Sequence, residues 1–545
     1  MAGPLRPPKE TRFRLQNGEH QNGGITSDVV IIGGGLAGLT CAMGLRGSGL
    51  KVTVVEGADV LGGRARSWID PATGDPIDLG PHIFLTEYPN TLKLLDVFGT
   101  RSRIIWQTDQ FITIADGQNG ILMKMTSLPP PFHFVPSVLA DRTVPLSDKF
   151  SNIGVTLLAM KMDERDVRQL DSITASEFLL DNGVSQRYID RFWAFVSMAI
   201  MNVPVEECSA AALIGFYRHL IGHNSYWIGF PDSGLSNLFA PQARQVLASS
   251  GVNVVTQAAV ASFIGGADSV TGIELTDNRR IYARFCVSAI PAHDLLKIVR
   301  TEWLERYSIF RDLRGFVPCP YVSTYVWFDR KLTQRQFWAR VYSPADLNCD
   351  FYDLSNINSG WQDRPSVIAS NIIYSHRANV MTDDHIIEAT IREICDFIPD
   401  ARRAKVVHSV VNRTAMAIHC PYPGTERKRP ETRTPVRGLL LAGDWTRTGI
   451  PASMESAVRS GWLAAEQILA DIGRRTSLAI SIREPESFGG SLGRVTNWWR
   501  RLRSGTRRSQ VSCLKPRPAR SHPGFSSTAQ GLDAACRFRF HEQLI

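Results

Sequence analysis

A glycine-rich turn between an apolar strand and a helix constrains the fold of this chain more than any other feature. Residues 28–32 form an apolar run of strand length, and residues 36–46 have helical character. In the G-x-G-x-x-G turn between them, Gly33 permits the tight bend, Gly35 lets the backbone approach a pyrophosphate, and Gly38 lets the helix pack closely on the strand. The free N–H groups at the start of the helix attract the anion.

A second strand, residues 51–56, ends at Glu56, 21 residues beyond Gly35. A carboxylate at this position accepts hydrogen bonds from the hydroxyls of a ribose. Strand, turn, helix and strand together take about 30 residues, as expected of a βαβ unit. The segment predicts an α/β fold with a Rossmann-type dinucleotide site. A glycine-rich turn without a ligand is the alternative interpretation.

A pair of glycines with an arginine follows Glu56 after a short interval. Gly63 and the guanidinium of Arg64, in Gly62-Gly63-Arg64, can reach the far side of the pyrophosphate. The first fingerprint alone does not distinguish NAD from FAD. This second motif favours FAD. A surface turn with a solvated arginine is the alternative.

A third motif near the other end of the chain also points to FAD. Gly443 and Asp444 end an apolar strand, and a helix from about residue 452 to 470 follows, with Pro451 suited to its start. We expect the N–H groups near Met454 to favour the negative charge of a reduced flavin, and Asp444 to accept from ribityl hydroxyls, which NAD lacks. The alternative is an ordinary strand–loop–helix with Asp444 as the helix cap.

The basic character of the chain is confined to its end. The net charge is +9, but residues 474–545 contain 14 basic and 4 acidic residues, so the rest of the chain carries −1. We therefore expect no nucleic-acid partner, because a nucleic-acid-binding domain carries its basic patch on the folded surface. The nine cysteines lack C-x-x-C spacing, so no metal site is predicted. Without a secretory signal or a spanning apolar run, we expect a cytoplasmic protein.

Taken together, these motifs resemble those of the flavin-containing amine oxidase superfamily. Within it, the chain is most similar to the carotenoid (phytoene and zeta-carotene) desaturase and hydroxysqualene dehydroxylase branch. The resemblance covers roughly residues 27–475, is specific at both ends and is weak in the middle. It also draws on four shorter segments, which are 78–82, 88–90, 231–238 and 429–435.

The resemblance implies a discontinuous Rossmann-type FAD-binding domain with an inserted α+β substrate domain. The FAD-binding domain would comprise residues 27–95, 230–300 and 430–475, and the substrate domain residues 96–229 and 301–429. Residues 1–26 would form a disordered arm and residues 476–545 a basic, disordered tail. The resemblance also implies that the backbone of Val260 contacts the adenine.

Two aromatic rings in front of the flavin distinguish the amine-oxidising members of the superfamily. One ring normally precedes the Met-Glu pair at the helix start, where this chain has Ser453; Tyr422 could supply the other. A cage without one wall loses about 1–2 kcal/mol of cation–π energy and leaves room for a long apolar chain. This favours an isoprenoid over an amine as the substrate.

Two further residues have a structural and a functional interpretation. Cys420 could attach the flavin covalently, but a small apolar cysteine packed beside Pro421 is favoured, so FAD is expected to be non-covalent. His82 could line the flavin site, but a hydrogen-bonded core histidine is favoured. No acid–base residue is assigned, because the flavin itself takes the hydride in a desaturation.

The expected function is FAD-dependent oxidation or reduction of an apolar polyisoprenoid, by desaturation or dehydroxylation. Quinone or oxygen would accept the electrons in a desaturation. An FAD-dependent amine oxidase is the first alternative, and a flavin-bearing binding protein without turnover is the second. Trp498, Trp499 and the arginines that follow could hold the chain at an anionic membrane surface.

Overall fold

Two seven-stranded sheets dominate the computed structural model, which describes residues 25–485. In chain order the strands are β1 (Ile25–Ile32), β2 (Val52–Val55), β3 (Ser67–Ile69), β4 (Pro76–Asp78), β5 (Phe84–Leu85), β6 (Ile104–Gln107), β7 (Ile112–Asp116), β8 (Asn119–Met123), β9 (Ile228–Pro231), β10 (Asn253–Val255), β11 (Val260–Gly266), β12 (Ser269–Leu275), β13 (Arg280–Ser288), β14 (Pro318–Phe328), β15 (Phe337–Arg340), β16 (Asp350–Asp353), β17 (Val367–Ile373), β18 (Val406–His419) and β19 (Leu439–Leu441).

Helices cover both sheets. They are α1 (Leu36–Leu45), α2 (Pro89–Phe98), α3 (Val135–Ala140), α4 (Leu146–Ser151), α5 (Ile153–Lys161), α6 (Glu164–Gln169), α7 (Ala175–Asp181), α8 (Gln186–Tyr188), α9 (Ala194–Val196), α10 (Ala210–Gly222), α11 (Ala240–Ser249), α12 (Ala292–Ile298), α13 (Thr301–Arg306), α14 (Ser308–Arg311), α15 (Leu354–Ile357), α16 (Asp383–Phe397), α17 (Thr425–Lys428) and α18 (Met454–Asp471).

The first sheet has the order β10-β2-β1-β13-β12-β11, with β19 beside β13. Strand β1 pairs in parallel with β2 and β13, and β13 in parallel with β19. All four residues of Val29–Ile32 are buried, as expected of a parallel strand covered on both faces. Its strands come from three separate stretches of the chain, so the predicted α/β, Rossmann-type fold is confirmed.

The second sheet has the order β18-β14-β17-β16-β15-β7-β8. Its strands come from two stretches, residues 112–123 and 318–419, which lie between the three stretches of the first sheet. The largest apolar core joins this sheet to helices of residues 146–222. These helices, here called the helical layer, therefore pack against one face of the second sheet.

The boundary predicted at residue 300 differs from the packing. Trp303 and Phe310, from α13 and α14, are fully buried in the core beneath the first sheet, together with Val30 and Leu439. The indole of Trp303 donates to the carbonyl of Gly266, at 2.9 Å. These helices thus pack with the first sheet, and the chain returns to the second sheet only at β14.

Ordered residues lie at the inner ends of the predicted arm and the predicted tail. Strand β1 begins at Ile25, within the predicted arm, and residues 476–485 pack along α2 and α18 instead of being disordered. Leu478 enters the core of the first sheet, and the N–H of Ile480 donates to Asn90 at 2.7 Å. The arginine-rich composition of the whole tail conceals this short apolar stretch. Trp498, Trp499 and the arginines after them lie outside the described residues.

Helices of the described chain are all too short or too polar to cross a bilayer. Across residues 25–485, no cluster of His, Cys, Asp and Glu is arranged to hold a metal ion.

Candidate functional site

The glycine turn after β1 forms one wall of the site. Gly33 has a φ of +104°, which favours glycine, and a Cβ on Gly38 would lie 1.9 Å from the carbonyl oxygen of Gly33. At Gly35, by contrast, a Cβ would meet only the Cα of Gly63, at 3.8 Å. Gly33 and Gly38 are therefore required by the fold, whereas Gly35 leaves open space that a ligand can occupy. Gly33 and Gly35 line the main cavity of the protein, and Gly38 does not.

Glu56 lies beside this turn at the end of β2. One carboxylate oxygen accepts from the N–H of Gly34 at 2.6 Å, and the other accepts from the N–H of Ala58 at 2.9 Å. These two bonds fix the carboxylate at the edge of the cavity, which Glu56 also lines. The side chain is thus held where its remaining lone pairs can accept from a bound hydroxyl.

The second glycine pair packs directly on the first turn. The N–H of Gly62 donates to the carbonyl of Gly34 at 2.9 Å, and a Cβ on Gly63 would lie 3.1 Å from the Cα of Gly35. The structure therefore brings the first two motifs together, with Gly62 and Gly63 in the cavity wall.

Arg64 and Asp444 pair with each other across 380 residues of sequence. The two guanidinium nitrogens donate to the two carboxylate oxygens at 3.0 and 2.7 Å, and Arg64 also donates to the carbonyl of Ala417 at 2.6 Å. Burial alone would raise the pKa of Asp444, but Arg64 outweighs it and the pKa is lowered. Both residues line the cavity, so the second and third motifs meet at one site.

The third motif is held in place by contacts that the sequence analysis did not identify. The guanidinium of Arg429 is buried and donates to the carbonyls of Asp444 and Thr446, at 2.9 and 2.8 Å. Gly443, with a φ of +138°, has no room for a Cβ because the indole of Trp445 would be 2.6 Å away. The loop after β19 is therefore fixed from both sides.

Helix α18 begins later than predicted. Ser453, and neither Pro451 nor Asp444, is the cap, and its hydroxyl accepts from the N–H of Ser456 at 3.2 Å. Met454 is the first helical residue and lines the cavity. A free serine hydroxyl satisfies a helical N–H, which proline cannot do, so the helix starts after the serine.

Buried Glu455 anchors the start of α18 to the start of α2. Its carboxylate accepts four hydrogen bonds, from the backbone and side chains of Asn90 and Thr91, at 2.7–3.0 Å. Sequence alone could have suggested the contact only through the short segment Tyr88-Pro-Asn90.

Three residues singled out in the sequence lie outside the cavity wall. Val260 begins β11, pairs with Leu275 of β12 and is absent from the cavity lining. Tyr422, which could have supplied an aromatic wall, is not among the residues that line the cavity, and its hydroxyl bonds to that of Tyr374 at 2.7 Å. Cys420 is fully buried and likewise does not line the cavity.

His82 does line the cavity, contrary to the favoured interpretation of a core histidine, although it is also hydrogen-bonded. Its Nδ1 donates to the carbonyl of Gly80 at 2.6 Å. Burial lowers the pKa of His82, and nearby Arg64 lowers it further, so the ring is neutral at pH 7 with Nε2 as an acceptor.

The cavity itself has a volume of about 1150 Å³ and extends from these motifs into the helical layer. Its far part is mostly apolar and aromatic, and its wall includes Phe111, Phe132, Phe134, Val138, Leu157, Phe192, Phe195, Val196, Phe216 and Ile228. A polar, glycine-lined end and a long apolar end are thus parts of one continuous space.

Comparison with known proteins gives matches along most of the chain. A family model described as flavin containing amine oxidoreductase matches residues 36–469. The chain is 29% identical over 474 residues to a 15-cis-phytoene desaturase of an Oncidium hybrid cultivar, covering 85% of this chain and 81% of the relative. It is 27% identical over 468 residues to the 15-cis-phytoene desaturase of Synechococcus elongatus, covering 82% and 98%. Putrescine oxidase bound to putrescine shares the fold, with a TM-score of 0.61, 16% identity, and 82% and 99% of the two chains covered.

Proposed function

Because the chain belongs to the flavin containing amine oxidoreductase family, we propose that it is an FAD-dependent desaturase of an apolar polyisoprenoid. The observation that carries the proposal is the single cavity that joins a dinucleotide cradle to a long apolar chamber. The curated relatives named phytoene desaturase support the same substrate class.

The residues of the cradle fit FAD. Gly35 leaves room for the pyrophosphate, Glu56 would accept from the ribose hydroxyls, and Arg64 would contact a phosphate. Asp444 would accept from the ribityl hydroxyls through the lone pairs that its bonds to Arg64 leave free. The N–H groups of α18 at Met454 would face the pyrimidine edge of the flavin.

We propose that FAD is held without a covalent bond. Cys420, the cysteine considered for attachment, is fully buried and does not line the cavity. No other cysteine of residues 25–485 lines it either. The flavin would therefore depend on the hydrogen bonds and charges of the cradle.

The apolar chamber would orient the substrate and exclude water. When bound, FAD supplies the acceptor for a hydride from an allylic C–H bond. An amine oxidase would place an aromatic ring at the start of α18, where this chain has Ser453. The smaller side chain leaves space for an extended polyisoprenoid chain. A quinone or oxygen would then take the electrons.

We propose that substrate enters from a membrane surface. An apolar patch consists of eight large side chains that are all at least 39% exposed, namely Leu128, Phe132, Val135, Leu139, Leu146, Phe150, Ile153 and Leu157. Four of these residues, Phe132, Val135, Ile153 and Leu157, also line the cavity. The cavity therefore reaches the surface within the patch, and so large an exposed apolar surface is typical of a contact with a membrane or a partner.

Flavin bleaching tests this proposal. Holoprotein is mixed without oxygen with phytoene or zeta-carotene in liposomes, with a squalene derivative or with simple amines, and the flavin absorbance is followed. We expect bleaching with a polyisoprenoid and none with amines. Bleaching by amines alone would assign the protein to the amine-oxidising branch instead.

A further inference from the structure

A group of buried polar side chains with unpaired oxygen atoms interrupts the mostly apolar chamber. Asp350 of β16 and Asn371 of β17 are paired residues in the second sheet, 6% and 3% exposed, and both line the cavity. Oδ1 of Asp350, Oδ1 of Asn371 and the hydroxyl of Thr414 accept or donate no hydrogen bond within the described chain. The other oxygen of Asp350 accepts from the hydroxyl of Tyr352 at 3.5 Å, and the side chain of Asn371 also lies within reach of the carboxylate.

These side chains lie where the cradle meets the apolar chamber. The amide of Asn371 is 3.5 Å from the carbonyl oxygen of Pro81, and the ring of Tyr321 is 2.9 Å from where a Cβ on Gly80 would stand. The same short segment carries His82, whose pKa is lowered in part by the charge of Arg64. Asp350 is thus close to the segment that connects the cofactor motifs to the substrate side.

A buried carboxylate oxygen without a hydrogen-bond partner is costly, and most buried carboxylates of this chain avoid that cost. Asp353, three residues further along β16, accepts hydrogen bonds from Ser355 and Ser366 at 2.5–3.1 Å. Glu455 accepts four. Asp350 alone of these three faces the cavity with a free oxygen, which indicates that the cavity's ligand or reaction uses it.

We propose that Asp350 is the catalytic base that takes the proton from the substrate during desaturation. This inference rests on the proposed function. When bound, FAD would supply the acceptor for the hydride from one carbon, and Oδ1 of Asp350 would take the proton from the neighbouring carbon. The electron pair of the C–H bond that loses the proton would become the new C=C bond, and the proton would later leave to solvent.

The ionisation of Asp350 suits this role. Burial raises the pKa of Asp350 to about 7, although Asn371 and Tyr352 act in the opposite direction. The titratable groups that face it are Tyr352 and Cys349 from its own strand region and Tyr321 from β14. Burial raises the pKa of each of these above its usual value, so they stay neutral. His82 is neutral too.

Ionisation of Asp350 sets the direction of the pH dependence. Because a base must be ionised, the rate of substrate-driven flavin reduction should fall as the pH drops below about 7. A general base typically contributes at least on the order of 10²-fold to a rate. Asp350→Asn should therefore slow flavin reduction by about that factor and abolish the fall near pH 7, while FAD content is unchanged. Asp350→Glu keeps a carboxylate and should retain a pH-dependent rate with a shifted midpoint.

Asp353→Asn is the matched control, because Asp353 is a buried carboxylate of the same strand that does not line the cavity. It should leave the pH profile unchanged even where it lowers the melting temperature. A second measurement needs no substrate. Infrared difference spectra of the protein between acidic and neutral pH should show the carbonyl stretch of a protonated carboxyl that disappears in Asp350→Asn and persists in Asp353→Asn.

Two results would overturn the assignment of Asp350. One is an Asp350→Asn variant that reduces its flavin at the wild-type rate with the wild-type pH profile. The other is an infrared titration that the substitution does not change. If the wild-type protein is not reduced by any polyisoprenoid, it is the proposed function that fails, and the infrared result still reports whether Asp350 titrates near neutral pH.

Discussion

Replacing Gly35 by alanine separates binding of the cofactor from folding of the protein. Gly35 has a φ of −77° and a ψ of −178°, a region that alanine adopts freely. The added Cβ would meet only the Cα of Gly63, at an ordinary contact distance of 3.8 Å. The free energy of unfolding of the apoprotein should therefore change by less than about 0.5 kcal/mol.

Binding of FAD should respond very differently. The added methyl would stand in the open space that the pyrophosphate is expected to enter, so its hydrogen bonds to the backbone would lengthen or break. Loss of one hydrogen bond to a charged group costs about 1.5–3 kcal/mol, which corresponds to a Kd for FAD raised about 10- to 100-fold.

Gly38→Ala is the matched control, three residues away in the same motif. Its Cβ would lie 1.9 Å from the carbonyl oxygen of Gly33, so helix α1 would have to move away from β1. Overpacking of this kind costs about 1–3 kcal/mol of folding free energy. Urea unfolding of each apoprotein and fluorescence titration with FAD give both quantities. A Gly35→Ala protein that binds FAD like the wild type, or that is destabilised as much as Gly38→Ala, would refute the assignment of this turn.

Three further predictions concern the cradle, the cofactor and the patch. Glu56→Ala and Asp444→Ala should each weaken FAD binding by about 1.5–3 kcal/mol in a fluorescence titration; unchanged Kd values in both would remove the two assigned roles. Heat or acid denaturation should release all the flavin into the supernatant, whereas flavin fluorescence remaining in the pellet would show a covalent bond. Leu146→Ser with Phe150→Ser should reduce pelleting with vesicles while FAD stays bound; a chain ending at residue 485 that loses all pelleting with the patch intact would instead make the tail the anchor.

Residues close together in the chain were predictable because their geometry is local. The spacing of Gly33, Gly35 and Gly38 belongs to one turn, and Glu56 follows within the same βαβ unit. Their placement does not depend on the rest of the fold, so a sequence pattern was enough to bring them together.

Residues that depend on distant packing were not predictable in the same way. The pairing of Arg64 with Asp444 joins the loops that follow β2 and β19, two strands that β1 and β13 separate in the sheet. Val260 was placed by its position after a middle strand, but the structure puts it at the start of an antiparallel hairpin, paired with Leu275. No local pattern reports that hairpin register.

Asp350 shows most clearly what could not be predicted from the sequence. In the sequence it is one acidic residue in Cys349-Asp-Phe-Tyr-Asp353, with nothing to distinguish it from Asp353. Period-2 alternation along a strand cannot separate residues when all four of β16 are buried. Only the register of β16 with β17, which sets Asp350 opposite Asn371, reveals which carboxylate faces the cavity.

The central claim is that one cavity presents a polyisoprenoid to FAD, and anaerobic flavin reduction by phytoene in liposomes tests it most directly. We predict that the wild-type holoprotein loses its oxidised flavin absorbance on mixing, with formation of a product that carries one more conjugated double bond. Flavin that stays oxidised with every polyisoprenoid supplied, in protein with a full complement of FAD, would contradict the claim.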